Sequence, residues 1–369
     1  MSGIHRTLGT PGSSAQMPGH HRTVVPGTMA GSRCRPQPGE VPHSVVLAQR
    51  PHGRIRSSDF AQVDVDRRPC PEGGVRARTR HLSIDPAIRG WLDDRPSYLP
   101  PVGVGEVVRS LGIAVVEESR HPGLAPGDVL RGFTGWQEEV LIEDPQRWDR
   151  LPDASTARLG VLGMTGLTAW VGMGDICAPR AGETVFVSAA AGAVGSTAVQ
   201  LARLAGARVV ASAGGPRKCA LLTGTLGVDA VVDHRADDWA DQLRDATPDG
   251  VDAVFENVGG PLMEAVLDRM NNGGRMALCG LIAGYNDVVR PPGPRNFGLL
   301  VTKRIRAEGF IVVDHADRAA QCEAELGAQV EAGRLRAFET VVEGFDNVVG
   351  TFVDSFGGDH VGKLVVSLG

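Results

Sequence analysis

The sequence predicts an α/β protein, with a doubly wound, parallel-sheet domain beside a compact, mostly β domain. Three observations predict it. The 369 residues exceed what a single compact core usually fills. From Val41 to about Leu162, short β-type runs are separated by turn residues. From Glu183 onward, apolar strands alternate with helix-length segments, before Phe338–Leu368 returns to short strands.

In chain order, residues 1–40 hold seven Gly, five Pro and four Ser, four arginines and a single acid, Glu40. This composition predicts a disordered extension, or an upstream start whose true initiator is Met17 or Met29. No apolar stretch there suits a secretory signal. β-type runs follow at Ser44–Leu47, Gly74–Ile84, Gly105–Ser110 and Ile113–Glu118, with Pro122-Gly123 and Pro126-Gly127-Asp128 as punctuation. Thr184–Ser188 is a continuous apolar run, suited to a strand buried on both faces. Helix Ala193–Ala205 leads to strand Arg208–Ser212, and helix Arg217–Leu226 to strand Ala230–Val232. Helix Asp237–Asp245 precedes strand Val251–Phe255, helix Leu262–Met270 precedes Arg275–Cys279, and Ile305–Val312 reads as a sixth strand.

Composition narrows the partners. Lys and Arg (38) nearly balance Asp and Glu (43), for a formal charge of −5, which excludes a strongly electropositive nucleic-acid binder. No run of about 18 apolar residues predicts a membrane span. The cysteines at 34, 70, 177, 219, 279 and 322 form no C-x-x-C pair, so no structural zinc or disulfide framework is expected. Reduced thiols in a cytoplasmic protein fit them better.

The first strand–helix turn of the α/β part reads Ser188-Ala189-Ala190-Ala191-Gly192-Ala193-Val194-Gly195. It aligns with G-x-G-x-x-G, with Ala190 in the first glycine slot. Gly192 lets the backbone approach a pyrophosphate, and Gly195 lets the helix pack on its strand. The N–H groups opening the helix at Ala193 and Val194 supply positive charge for phosphates. Placed at the start of six alternating strands, the turn predicts a Rossmann dinucleotide site. An NAD enzyme usually carries Asp or Glu at the end of the second strand. Here the stretch is Ala211-Ser212-Ala213-Gly214-Gly215-Pro216-Arg217-Lys218. Gly214 stands near the acid's place, and two cations suit a 2′-phosphate, so NADP(H) is the expected cofactor. Cations at a helix start oppose the dipole unless an anion offsets them.

Several segments from Val41 to Leu368 resemble the zinc-independent medium-chain dehydrogenase/reductases. They are Leu82–Pro86, Gly163–Ala169, Ala189–Ser196, Phe255–Gly260 and Gly344-Phe345. The string Cys279-Gly280-Leu281-Ile282-Ala283-Gly284-Tyr285-Asn286 points to the branch of prostaglandin, leukotriene B4 and curcumin reductases. The resemblance implies NADPH-dependent reduction of the C=C bond of α,β-unsaturated ketones or aldehydes. It also implies a GroES-like catalytic domain at 41–162 and 336–369, and an NADP-binding Rossmann domain at 163–335. A homodimer through the Rossmann edge is expected, with no metal.

By the same resemblance, Met164 and Thr168 lie under the nicotinamide, Lys218 contacts the 2′-phosphate, and Asn257 lies near the nicotinamide ribose. Cys279 belongs to the cofactor-side string, and Tyr285 lines the reaction centre. Three positions depart from the family. Ala87 stands where it has the tyrosine of D-P-Y-M-R-G, His234 replaces a tyrosine after the third Rossmann strand, and His360 replaces the asparagine of G-D-N-x-G-K. Either imidazole can still hydrogen-bond a phosphate or an amide, with a pH dependence. Ala87 enlarges the substrate pocket or signals drift from the family reaction.

Hydride transfer to a β-carbon leaves an enolate, so a donor must face the carbonyl oxygen. Tyr285 follows the carboxyl end of the fifth strand, where open α/β sheets bind ligands, and it is assigned that role with the cofactor ribose. Tyr98, the other of the two tyrosines, is a substrate-pocket wall. Arg89 is expected to position the Tyr98 loop, without chemistry of its own. Two rival readings remain: a zinc-independent carbonyl/alcohol oxidoreductase, and a catalytically drifted NADPH-binding protein.

Overall fold

The computed structural model describes residues 20–25, 41–65, 67–289 and 291–369. Its strands are β1 (His20–Val25), β2 (His43–Leu47), β3 (Phe60–Asp64), β4 (Val75–Ile84), β5 (Gly112–Ser119), β6 (Val129–Gly132), β7 (Glu139–Ile142) and β8 (Asp149–Leu151). They continue with β9 (Thr184–Val187), β10 (Arg208–Ala213), β11 (Ala230–Asp233), β12 (Val251–Glu256), β13 (Met270–Leu278), β14 (Arg306–Gly309), β15 (Ala337–Glu343) and β16 (Lys363–Ser367). The α-helices are α1 (Ile88–Trp91), α2 (Met164–Val171), α3 (Ala193–Leu204), α4 (Pro216–Gly224), α5 (Trp239–Ala246), α6 (Gly260–Arg269), α7 (Leu299–Thr302), α8 (Ala319–Glu331) and α9 (Val348–Ser355).

The strand order β11-β10-β9-β12-β13-β14, parallel throughout, is the doubly wound arrangement. Strand β9 sits in its middle, and each of its four residues is buried. Val185 and Val187 face one core layer with Ala198, Val199 and Ala202 of α3. Phe186 points the other way, onto Leu243, Leu262 and Val266. Burial on both faces is why this strand reads as an unbroken apolar run.

The mostly β part is a sheet of order β1-β15-β16-β4-β5-β6-β8, with β7 on β4, beside the β2–β3 pair. Its core is aromatic. Trp136 lies 5.5 Å from Phe60 and 5.2 Å from Phe352, centroid to centroid, in tilted and edge-on geometries. The two parts are joined at the phosphate turn, where Gly362 N–H donates to Ala191 O at 2.8 Å and Gly192 bridges Gly362.

Several expectations need correction. Within the expected disordered extension, His20–Val25 is a strand parallel to β15, and the rest of residues 1–40 lies outside the described residues. Gly105–Ser110 is no regular strand: it makes an isolated bridge, Val46 to Val107, and its Gly105 and Val108 N–H groups donate to Leu47 O and Val45 O. The sixth strand shortens to Arg306–Gly309. Helix α8 fills a stretch with no expected element and buries Cys322, Leu326 and Val330 at four-residue spacing. Helix α9 interrupts the expected run of short strands, burying Val348 and Phe352.

Candidate active site

The phosphate turn is shaped by three backbone facts. Ala189 takes φ +47°, Ala190 N–H donates to Ser212 O at 2.9 Å, and Gly192 caps the start of α3. A Cβ on Gly195 would stand 2.4 Å from Ala189 O, so only glycine lets α3 pack here. A Cβ on Gly192 would meet only Ala189 O, at 3.2 Å. The space beyond Gly192 is therefore open to a ligand, while Ala190 is buried in the core. Ala193 and Val194 open the first turn of α3, leaving its N–H groups free of intrahelical partners.

Next to this turn the structure gathers Gly214, Lys218, His234 and His360. Lys218 is half-buried, and no described residue bonds its ammonium. Burial, then the nearby Arg235 and Arg217, lower its pKa to about 8, against the pull of Asp359. Burial also lowers His360 to about 4, with Lys218 and Lys363 adding to the effect. His234 is lowered by burial and by Arg235. A Cβ on Gly214 would stand 2.7 Å from Arg235 Nε and 3.0 Å from His234 Nε2. Cationic and imidazole groups thus fill the space that an acidic side chain would need.

The Arg217 guanidinium donates to Asp359 O. Arg235, not singled out from sequence, donates to Gly357 O and pairs with Asp359 at 3.4 Å. Both arginines grip the 357–360 loop and bring His360 over the site. The signal for Arg235 was its place beside His234, at the carboxyl end of β11.

At the carboxyl ends of β9, β12 and β13 stands a second cluster. Asn257 Nδ2 donates to Ser188 O at 2.8 Å, and Asn257 N–H to Ser188 Oγ at 2.7 Å. Glu256, fully buried, also escaped the sequence reading. Its Oε1 accepts N–H bonds from Val258 at 2.6 Å and Gly259 at 2.7 Å, and the Ser188 hydroxyl at 3.0 Å. Burial raises its carboxyl, and Oε2 has no hydrogen-bond partner among the described residues. The Cys279 thiol is pushed up to about 12 by burial and by Glu256, so it stays protonated.

Tyr285 leaves the single turn 282–284 with its hydroxyl 3.3 Å from where a Cβ on Gly280 would stand. Burial raises its phenol, which keeps it protonated and a donor at neutral pH. Tyr98, 44% exposed, packs edge-on against Trp91 at 6.0 Å. Burial raises it too, with Tyr285 and Asp85 adding to the effect. Ala87 instead packs at the margin of the β-rich core, at the start of α1. Met164 and Thr168 share one face of α2, with Thr168 Oγ1 donating to Met164 O at 2.7 Å. Arg89 reaches Asp93, at the start of the loop that carries Tyr98, and also Gly53 O and Asn286.

Among the described residues no three His, Cys, Asp or Glu side chains converge to hold a metal ion, and no helix is long and apolar enough to cross a membrane.

Comparison with known proteins agrees with this geometry. Residues 43–150 match the family described as N-terminal domain of oxidoreductase, and 193–327 the one described as zinc-binding dehydrogenase. The chain is 41% identical to an NADPH-dependent curcumin reductase of Escherichia coli K12, over 87% of this chain and 95% of that one. It is 36% identical to a 2-alkenal reductase (NADP(+)-dependent) of Nicotiana tabacum, over 87% and 96%. The crystal structure of CurA from Vibrio vulnificus in complex with NADPH superposes with a TM-score of 0.84 at 37% identity, covering 88% of this chain and 98% of that one. The chain belongs to the zinc-independent medium-chain dehydrogenase/reductases, in their curcumin reductase-like branch.

Proposed function

We propose that the chain is an oxidoreductase that uses NADPH to reduce the C=C bond of α,β-unsaturated ketones or aldehydes. The observation that carries this reading is the match to nearly the whole length of reductases whose printed names include a 2-alkenal, a conjugated C=C–C=O. The residues present fit the cofactor. The space beyond Gly192 admits a pyrophosphate at the start of α3, and Lys218, without a protein anion bonded to it, suits a 2′-phosphate beside His234 and His360. Bound NADPH supplies the hydride that reaches the substrate's β-carbon.

The protein's part is alignment. Met164, Thr168 and Asn257 flank the nicotinamide end, and Cys279 backs it as a neutral thiol. The Tyr285 phenol donates to the substrate carbonyl oxygen, where charge grows as the enolate forms, and it holds that enolate until a proton from solvent reaches the α-carbon. Tyr98 walls the opposite side. The test is an NADPH-oxidation screen over enones, enals and nitroalkenes with product analysis. Saturated carbonyl products are expected. Allylic alcohol would mean a carbonyl reductase, and tight NADPH binding without turnover a binding protein.

The division at 162/163 and 335/336, a homodimer and a cytoplasmic location belong to the same proposal. Exposed Phe297 and Val301, at 59% and 78%, lie just before β14, the edge strand of the parallel sheet, and favour that edge as the dimer contact. Light scattering on wild type and V301D tests it; a monomeric wild type would refute it.

A further inference from the structure

Tyr285 lies on a segment fastened at two ends by different parts of the molecule. Its first end is tied to the parallel-sheet half: Ile282 N–H donates to Asn257 O at 3.2 Å, and Ala283 N–H to Val258 O at 3.0 Å. Its far end meets the β-rich half. Arg89, only 3% exposed, donates from Nε to Asn286 Oδ1 at 3.2 Å, across 197 residues of sequence. The rest of that guanidinium is already held in place, Nη1 on Asp93 Oδ1 at 2.6 Å and Nη2 on Gly53 O at 3.2 Å. Gly53 itself, at φ +73°, lies so close to the segment that a Cβ there would stand 3.1 Å from Val288 Cγ2. On either side of these anchors, Leu281, Val288 and Val289 are exposed at 47%, 62% and 81%, so little apolar packing holds the flanks of the segment.

We propose that Arg89 and Asn286 form a latch between the two halves that sets the position of Tyr285 at the substrate, making both of them positioning residues for the reduction. The proposal rests on the reading of Tyr285 as the donor to the substrate oxygen. A buried guanidinium fixed on three sides is a rigid reference point, and one hydrogen bond from it orients the residue next to Tyr285. The phenol must meet the carbonyl oxygen within a few tenths of an ångström, so loss of the latch slows turnover while the phosphate turn, over on α3, is untouched.

Asn286 is partly exposed, so replacing it leaves the core intact. The test compares wild type, N286A, N286D, Y285F and Y285F/N286A with 3-penten-2-one as substrate, and measures NADPH Kd separately by tryptophan quenching. N286A is expected to lower kcat about fivefold, the worth of one hydrogen bond, with NADPH Kd unchanged. N286D, whose carboxylate accepts the same Nε–H, restores the rate. Y285F/N286A is no slower than Y285F. Wild-type kcat and KM in N286A, or fully additive losses in the double variant, overturn the latch while the Tyr285 reading stands on Y285F. A Y285F enzyme at the wild-type rate overturns the Tyr285 reading instead. N286A then decides by itself: slowed turnover with normal NADPH binding and rescue by N286D keeps both residues as positioning residues for the segment, and wild-type kinetics remove them.

Discussion

Lys363 Nζ lies 2.6 Å from Asp85 Oδ1 and 2.9 Å from the carbonyl oxygen of Ile84, which pins β16 to the turn that starts α1. The lysine side chain is 2% exposed and the aspartate 25%. Removing one partner leaves a charge in low dielectric, at a cost of about 3 kcal/mol, or roughly 4 °C of Tm in a chain of this size. D85N is therefore expected to melt that much earlier, and K363M/D85N to recover most of the loss. Differential scanning calorimetry checks this. A D85N protein melting with wild type would show that the pair contributes nothing.

Lys218 sets the cofactor preference. Losing its charge-assisted bond to a 2′-phosphate should weaken NADPH binding in K218A about 10–100-fold and leave NADH unchanged. The pH dependence has a definite sign. Free Lys218 titrates at about 8, and a bound phosphate dianion raises that value. NADPH affinity is then full below about pH 8 and falls as pH rises through the bound-state value. Isothermal titration from pH 6.5 to 9.5 reads the slope, which K218A should flatten.

For Tyr285, Y285F should lower kcat for an enone by about 10–100-fold, with NADPH Kd unaltered. Single-turnover rates, free of product release, are the measurement. A loss seen only in KM would assign the phenol to substrate binding alone.

Glu256 offers a stability test. Its carboxyl is raised in the fold above the ordinary 4.5 by burial. Its favourable contribution is thus complete below about that pH and declines as pH rises through the folded value. E256Q keeps an acceptor for Val258 and Gly259 but does not titrate, so its Tm should fall less steeply than wild type above pH 5. E256A leaves the Val258 and Gly259 N–H groups unmet and should melt earliest, losing about 2–4 kcal/mol. Identical pH profiles for wild type and E256Q would contradict the raised carboxyl.

The sequence made the parallel sheet legible because strands such as Thr184–Val187 are buried on both faces and read as apolar runs. The phosphate turn was legible because its glycines answer a local steric demand, as Gly195 does against Ala189 O. Arg235 and Asp359 were not legible as a unit. Their meeting depends on the 357–360 loop crossing from the β-rich half to the parallel sheet, 124 residues away in sequence. Glu256 was hidden for a related reason: an acid beside a matched asparagine gives no local sign that its carboxyl is buried on three donors. Ala87 was read from the family pattern alone, and it packs at the margin of the β-rich core.

The central claim is that hydride is delivered to carbon–carbon rather than carbon–oxygen unsaturation. Turnover of 3-penten-2-one with NADPH deuterated at the transferred C4 position tests it most directly, with the products analysed by mass spectrometry and NMR. The expected product is 2-pentanone carrying a single deuterium on its β-carbon. Deuterium on the carbinol carbon of an allylic alcohol would contradict it.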